Sequence, residues 1–521
     1  MGYDYIVVGA GSAGCVVARR LVDAGAEVLV LEAGEADEQR EIHVPAAVPA
    51  LFRSSLDWNY ETVPQKFLNS RSDYWPRGKT LGGTSSINAQ IYQRGAPSDY
   101  DGWVRLGNDG WSWSDVLPVF KRSENQERGP SEYHGVGGPL NVADLRDPNP
   151  LSKAFVEAAQ EQGLPLNNDF NGEVQEGFGL YQVTQKGGFR WSSARAFLHP
   201  AMKKNNCTVI TGAHVTRLTI KDGRCMGVTF LRDRAERTVE AGTEVILSGG
   251  AINSPQVLML SGIGHAAQLE KVGIKVVHQL PGVGQNLQDH MMSPVAYRAT
   301  KEVSLASASN EEEEARFENE QMGLLTSNIA EAGGFMTVND SPAPDLQFHF
   351  VPGWNMRHGD HDASGHGYTL SPTLVATHSI GSMWLASNNP LDKPALDPAY
   401  LEDDRDLEIL LEGTKIARQI LGSSAFDEFR GEEFAPGAAT QADDDLREHI
   451  RNYATTIYHP VGTCKMGHDD LAVVDDQLCV HGIDNLRVAD ASIMPKIVNA
   501  NTNAPSIMIG EKCSAMLLAD S

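Results

Sequence analysis

The chain opens on an unbroken apolar run, Tyr5-Ile6-Val7-Val8, that stops at Gly9-Ala10-Gly11-Ser12-Ala13-Gly14. Apolar residues then recur at Val16, Val17, Ala18 and Leu21 up to Gly25, and a second apolar run, Val28-Leu29-Val30-Leu31, delivers Glu32. Short continuous apolar runs predict buried strands, and the recurrence between them predicts a helix. Strand, glycine turn, helix, strand and terminal acid in register predict a dinucleotide-binding unit. In such a unit Gly9 makes the tight turn, Gly11 lets backbone amides approach a pyrophosphate, and Gly14 permits close helix–strand packing. Ser12 and Ala13 open a helix whose N-terminus carries partial positive charge. Glu32 stands where a carboxylate accepts bonds from ribose hydroxyls. A glycine turn without a ligand is the competing reading, and the motif by itself does not separate NAD from FAD.

Beyond this unit the pattern changes character several times. Residues 36–75 read as irregular, with Pro45, Pro49 and Pro64 interrupting any long element. Arg77-Gly78-Lys79-Thr80-Leu81-Gly82-Gly83-Thr84-Ser85-Ser86-Ile87-Asn88-Ala89 predicts a loop opening into a helix, a place where backbone meets an anion or a flat ring. Over 207–250, Thr208-Val209-Ile210, Val215 to Ile220, an Asp222-Gly223 turn and Val228-Thr229-Phe230 predict a small antiparallel excursion. It returns through Val245-Ile246-Leu247 to the nucleotide-binding sheet. Residues 345–350 alternate polar and apolar, the pattern of a half-buried strand. The acidic run Glu311 to Glu314 reads as a solvated helix face or lid segment. His358, His361 and His366 gather with Asp360 and Asp362, but their spacing fits no standard ligand motif; they read as loop histidines, and no metal site is expected. No internal repeat or low-complexity linker is evident.

Composition narrows the function. The chain has 521 residues, 41% hydrophobic and 21% charged, which places it among globular proteins of two or three units, or of one large composite. Its formal charge of −25 repels nucleic acid and anionic lipid surfaces. Six scattered cysteines (Cys15, Cys207, Cys225, Cys464, Cys479, Cys513) have neither a metal-ligand spacing nor a disulfide framework. The first residues read as a strand rather than a signal peptide, and no apolar run approaches the ~18–20 residues of a membrane span. These features lead to the expectation of a soluble, cytoplasmic protein.

Four further blocks, together with the glycine turn, carry a resemblance. The Gly78 to Asn88 segment, continuing through Tyr92, Gly95 and Asp101, is one. Gly250-Ala251-Ile252-Asn253-Ser254-Pro255-Gln256 through Gly264 is the second, followed by Leu280-Pro281-Gly282-Val283-Gly284-Gln285-Asn286-Leu287-Gln288-Asp289-His290. The C-terminal stretch carries Tyr458-His459-Pro460-Val461-Gly462-Thr463, then Leu486-Arg487-Val488-Ala489-Asp490-Ala491, and Val498 to Pro505. In this order, over nearly the whole chain, they resemble the glucose–methanol–choline (GMC) flavoprotein oxidoreductases, in the choline-dehydrogenase-like branch. The resemblance implies an α/β (α+β composite) architecture. A Rossmann-like FAD-binding domain (1–160, 196–290 and 455–521) would interleave with a discontinuous substrate domain on an antiparallel sheet (161–195 and 291–454).

The resemblance also assigns roles. FAD would contact Gly9, Gly11, Ser12, Ala13, Gly14, Glu32 and Ala33 at one end. Arg77, Gly82, Gly83, Asn88, Ala89, Asp490, Ala491, Asn501 and Ala504 would lie along the flavin, and Val215 near the adenine. Ala89 would lie by the flavin edge where oxygen reacts. Some members attach FAD through a histidine at the position of Ile87; isoleucine has no such chemistry, so noncovalent FAD is expected. Oxidising an alcohol takes a base for the hydroxyl proton and a polar group to hold the oxygen. His459 is the expected base. The family's partner, a histidine or asparagine some 44 residues on, falls on Asn503, with Asn501 as the near competitor.

The expected function is therefore FAD-dependent oxidation of a small-molecule alcohol to the aldehyde or ketone, with electrons passed to oxygen or another acceptor. A hydroxynitrile lyase on the same scaffold and a noncatalytic dinucleotide-binding protein are the alternatives. The second has no need of His459 and an asparagine at family spacing.

Overall fold

The computed structural model describes residues 2–339, 341–359 and 363–520. The first apolar run becomes the strand Tyr3–Val8, buried from Tyr5 onward at the centre of a seven-stranded sheet. Val28–Leu31 and Cys207–Ile210 follow on one side, and Ala235–Leu247 and Leu486–Val488 on the other, all parallel. Continuous apolar runs suit such strands because helices cover both faces. Helix α1 (Ser12–Asp23) rises from the glycine turn and packs against α3 (Asn503–Ala519), the last helix of the chain. A Cβ at Gly14 would stand 2.0 Å from the Gly9 carbonyl oxygen, so only glycine lets α1 come this close to the turn.

The 207–250 excursion differs from its expected form in one respect. Cys207–Ile210 joins the parallel sheet itself, and the antiparallel part consists of His214–Lys221, Arg224–Arg232 and the first half of Ala235–Leu247. The bridge is Ala235–Leu247, thirteen residues long. Its first half pairs with the hairpin and its second half lies parallel to Tyr3–Val8. Asp222 and Gly223 turn the hairpin with φ of 51° and 78°. Both values are left-handed, as a two-residue hairpin turn requires.

A second sheet of eight strands is antiparallel throughout. Its main path runs Arg430–Ala435, Val295–Ala299, Gly367–Leu374, Leu346–Val351, Ala332–Met336 and Gly177–Leu180. Segments far apart in the chain thus build one surface. Leu346–Val351 is buried at every position rather than on alternate ones. Its polar residues face the interior site described below, which is why they alternate without being solvated.

Other loops depart from the pattern. The segment after Gly82 does not open into a helix; it makes one 3₁₀ turn, Gly83–Ser86. Ser85 Oγ donates to the Gly82 carbonyl and Ser86 Oγ to that of Leu81, side-chain bonds that compete with helix continuation. Two short α-helical turns, Arg40–His43 and Val48–Leu51, lie within the stretch expected to be irregular. The acidic run starts the helix Glu311–Glu320, where carboxylates complement the helix N-terminus. His361, Asp360 and Asp362 lie outside the described residues. The His358 side chain is buried against Tyr458, Thr455 and Asp73, and His366 bonds Ser304. Among the described residues no helix is long and apolar enough to cross a membrane, and no cluster of three His, Cys, Asp or Glu side chains is placed to hold a metal ion.

Candidate active site

A cavity of about 500 Å³ runs from the C-terminal ends of the parallel strands to the polar face of the antiparallel sheet. Its near end is built by the glycine turn. Gly9, Gly11, Ser12 and Ala13 line it, with Glu32 and Ala33 beside them and Val215 further along. A Cβ added at Gly11 would meet no protein atom closer than 3.9 Å, so protein packing does not demand glycine there. The space it leaves open belongs to the cavity, as expected where a pyrophosphate approaches backbone. Glu32 accepts from the Ala10 and Gly34 amides, both at 2.9 Å, and so braces the turn from inside. Burial raises its pKa, while those two amides and the charge of Lys79 act in the opposite direction.

Three helix N-termini open onto the cavity, those of α1, α2 (Gly250–Leu260) and α3, through Ser12 and Ala13, Gly250 and Ala251, and Asn503. Together they create positive potential where a dinucleotide carries its phosphates. Asp490, expected at the flavin, spends its carboxylate on this frame. It accepts from the Gly250 amide and Ser254 Oγ with one oxygen and from the Ser492 amide with the other. Arg77, Gly83, Asn88, Ala89, Asp490 and Ala491 all line the wall. Gly14, Gly82 and Ala504 do not. Gly14 sits under α1, Gly82 donates to the Ala10 carbonyl at 2.7 Å, and Ala504 is buried in the first turn of α3.

Asn88 is itself held by Arg190, a residue the sequence reading did not single out. The buried Arg190 guanidinium donates through Nη1 to the Asn88 carbonyl at 2.6 Å and to its Oδ1 at 2.8 Å. Burial alone pushes the Arg190 pKa down to about 9.

At the far end stands His459. It follows Tyr458, whose φ of 74° is left-handed and unusual for an aromatic residue. Three bonds hold that conformation. Arg77 Nη2 donates to the Tyr458 carbonyl at 2.8 Å, the Tyr458 amide donates to Thr456 Oγ1 at 2.7 Å, and its hydroxyl pairs with His358 Nδ1 at 2.9 Å. The His459 amide donates to Asp289 Oδ1 at 2.8 Å, and Thr456 and Tyr400 hydroxyls donate to the other oxygen of Asp289. Burial lifts the Asp289 pKa to about 6. His459 Nδ1 lies 3.0 Å from Nδ1 of the buried His290. Burial holds the His459 pKa well below the ordinary histidine value, with the charges of His290, His349 and Arg77 acting in the same direction. The imidazole is therefore neutral at physiological pH, the state a base requires.

The asparagine placed beside His459 is not the expected one. Asn501, not Asn503, reaches His459, with Nδ2 3.3 Å from Nε2. Asn503 is the first residue of α3, and its Oδ1 accepts from Ser12 Oγ at 2.7 Å. Thr502 turns the chain into the helix between them, at φ −95° and ψ 0°, so the two asparagines face different ways. Sequence reasoning also gave no role to His290, Gln347 or His349. Gln347 Nε2 donates to Asn501 Oδ1 at 2.9 Å, and His349 lines the cavity. The signal for Gln347 and His349 was the polar alternation of 345–350, read as that of a half-buried strand, and His290 closes the Leu280 to His290 block.

A glycine turn, three converging helix N-termini and a neutral buried histidine at the end of one cavity define a dinucleotide-dependent oxidoreductase. The chain belongs to the GMC oxidoreductase family, whose N-terminal model matches residues 3–292 and whose C-terminal model matches residues 377–510. It is 47% identical to an alcohol dehydrogenase [acceptor] of Pseudomonas putida, covering 99% of this chain and 96% of that protein. It is 43% identical to the mitochondrial choline dehydrogenase of Homo sapiens, covering 99% and 89%. Among solved structures it is similar to pyridoxine 4-oxidase from Mesorbium loti, with a TM-score of 0.92, 31% identity and 99% of each chain covered. It is also similar to the FAD protein formate oxidase of Aspergillus oryzae, with a TM-score of 0.94, 27% identity and coverage of 100% and 98%. The chain is thus an FAD-dependent enzyme of alcohol oxidation, and none of these relatives supports the lyase alternative.

Proposed function

We propose that His459 is the base that removes the hydroxyl proton, that Asn501 holds the oxygen, and that the alcohol is uncharged and apolar. One observation carries the reading. The His459 imidazole and the Asn501 amide meet at 3.3 Å on the wall of the cavity that begins at the nucleotide turn. When bound there, FAD supplies the hydride acceptor, N5 of its isoalloxazine ring. The Asn501 amide donates toward His459 Nε2, so that nitrogen presents its lone pair, and Nδ1 carries the proton shared with His290. An alcohol oxygen entering between Nε2 and Nδ2 finds an acceptor for its proton and a donor for the charge left behind. The adjacent walls, which include Ile91, Ile329, Ala330, Val351 and Trp354, exclude water. Ile87, packed with Ile42, Leu51 and Leu56, offers no atom for covalent attachment, so FAD is held by the turn and the helix N-termini.

Charge supports the choice of substrate. Among the described residues the cavity wall carries two carboxylates, Glu32 and Asp490, and both belong to the nucleotide frame. A quaternary ammonium beside His459 would lose its hydration without gaining a counter-charge. The test is anaerobic bleaching of the bound flavin by straight-chain and aromatic primary alcohols and by choline, followed by readmission of oxygen. Rapid bleaching by the neutral alcohols and slow bleaching by choline is expected. Bleaching by choline alone would overturn the substrate assignment, and the rate of recolouring separates oxygen from other acceptors.

A further inference from the structure

We propose that Gln347 is a positioning residue that decides which end of the Asn501 amide faces the reacting oxygen. The inference rests on the active pair proposed above and concerns how that pair is oriented. An asparagine amide has a donor end and an acceptor end of almost the same shape, so its orientation is set by its partners. Only the donor end stabilises an oxygen that is losing its proton.

The polarity can be followed from a group that has no choice. The Phe348 backbone carbonyl only accepts, and the Tyr181 hydroxyl donates to it at 2.6 Å. Having committed its single proton, the Tyr181 oxygen accepts from Gln347 Nε2 at 3.3 Å. The same Nε2 donates to Asn501 Oδ1 at 2.9 Å. The Asn501 carbonyl is thereby occupied, and Nδ2 is left facing His459 Nε2. Gln347 is 0% exposed and Tyr181 1%, so solvent does not compete for these bonds.

A flipped Gln347 would set its oxygen against the lone pairs of both Tyr181 and Asn501 Oδ1. The buried Gln347 Oε1 has no hydrogen-bond partner, so the side chain is held through its amino end alone. Gln347 lies on the strand Leu346–Val351, paired with Thr373 and Phe335, and the antiparallel sheet fixes the backbone from which it reaches Asn501.

The experiment uses the FAD-loaded enzyme and follows anaerobic flavin reduction by a saturating neutral alcohol across pH. Gln347→Met fills the space but offers no donor, so Asn501 loses its orientation and reduction slows about 10- to 100-fold, with KM little changed. Gln347→Glu is more telling. An ionised carboxylate only accepts, takes the Asn501 NH₂, and turns the carbonyl toward His459. Its rate is low while the carboxylate is ionised and recovers as pH falls and the acid regains a donor. The wild-type rate moves the other way, falling as the base becomes protonated. In an Asn501→Ala background, Gln347→Met adds no further loss.

Tyr181→Phe keeps the ring and removes only the anchor, so a several-fold loss is expected even if the Gln347 variants fold poorly. Wild-type rates and pH profiles in the Gln347 and Tyr181 variants, with Asn501→Ala still slow, would overturn this inference alone. Wild-type rates in His459→Ala and Asn501→Ala would instead overturn the active pair. A packing role for Gln347 predicts losses that add to Asn501→Ala and an unaltered pH profile.

Discussion

Replacing Asn501 and Asn503 in turn by alanine separates two residues that differ by two positions and face different neighbours. Asn501→Ala removes the amide whose Nδ2 stands 3.3 Å from His459 Nε2 and leaves the developing charge on the substrate oxygen without its donor. Loss of one such donor costs about 2.7–4 kcal/mol in the transition state, or about 10²–10³-fold in rate. Asn503→Ala removes an acceptor for Ser12 Oγ at 2.7 Å, a partly buried bond between two helix N-termini. Such a bond contributes about 0.5–1.5 kcal/mol, and it stabilises the frame rather than the transition state. Anaerobic stopped-flow reduction at saturating alcohol, with a thermal midpoint for each variant, reads both effects. Asn501→Ala should reduce slowly with a midpoint near wild type. Asn503→Ala should melt earlier and reduce at nearly the wild-type rate. The reverse assignment, with Asn503→Ala slow and Asn501→Ala fast, would refute the geometric argument.

Denaturation should release FAD from the polypeptide, because Ile87 occupies the linking position within an aliphatic cluster; flavin that stays with acid-precipitated protein would contradict this. The acid limb of kcat/KM should lie below about 6.5, since the base must be unprotonated and burial lowers the His459 pKa, extending activity to lower pH. A limb at or above that value would assign the base elsewhere. Glu32→Gln keeps the shape but leaves one carbonyl oxygen where two carboxylate oxygens accepted the Ala10 and Gly34 amides. At about 1.5–3 kcal/mol for a charge-assisted bond, FAD affinity of the apoprotein should fall roughly 10- to 100-fold, and an unchanged affinity in a flavin fluorescence titration would remove Glu32 from the site.

The first nucleotide unit was legible because its determinants are local. Apolar runs of four, a glycine turn and a terminal acid lie within the first 32 residues, and the strands Tyr3–Val8 and Val28–Leu31 and helix α1 form from them directly. His459 was singled out by the family resemblance of the block Tyr458 to Thr463, and not by its turn-prone context, which alone favours a structural histidine.

What the sequence alone determined, then, was the set of local elements and the chemistry that their residues carry. Pairing across the chain was decided elsewhere. The strand Ala235–Leu247 joins a hairpin to the parallel sheet by its two halves, a division that no period within it announces. Gln347 and His349 look like the polar side of a half-buried strand until the antiparallel sheet sets Gln347 against Asn501 and His349 on the cavity wall. The two asparagines illustrate the limit most sharply. Both are small amides in one short stretch, and counting along the chain treats them alike. The turn at Thr502 sends one to His459 and the other to Ser12. Direction in space depends on backbone torsions set by packing of α3 on α1, and a residue count contains no torsions.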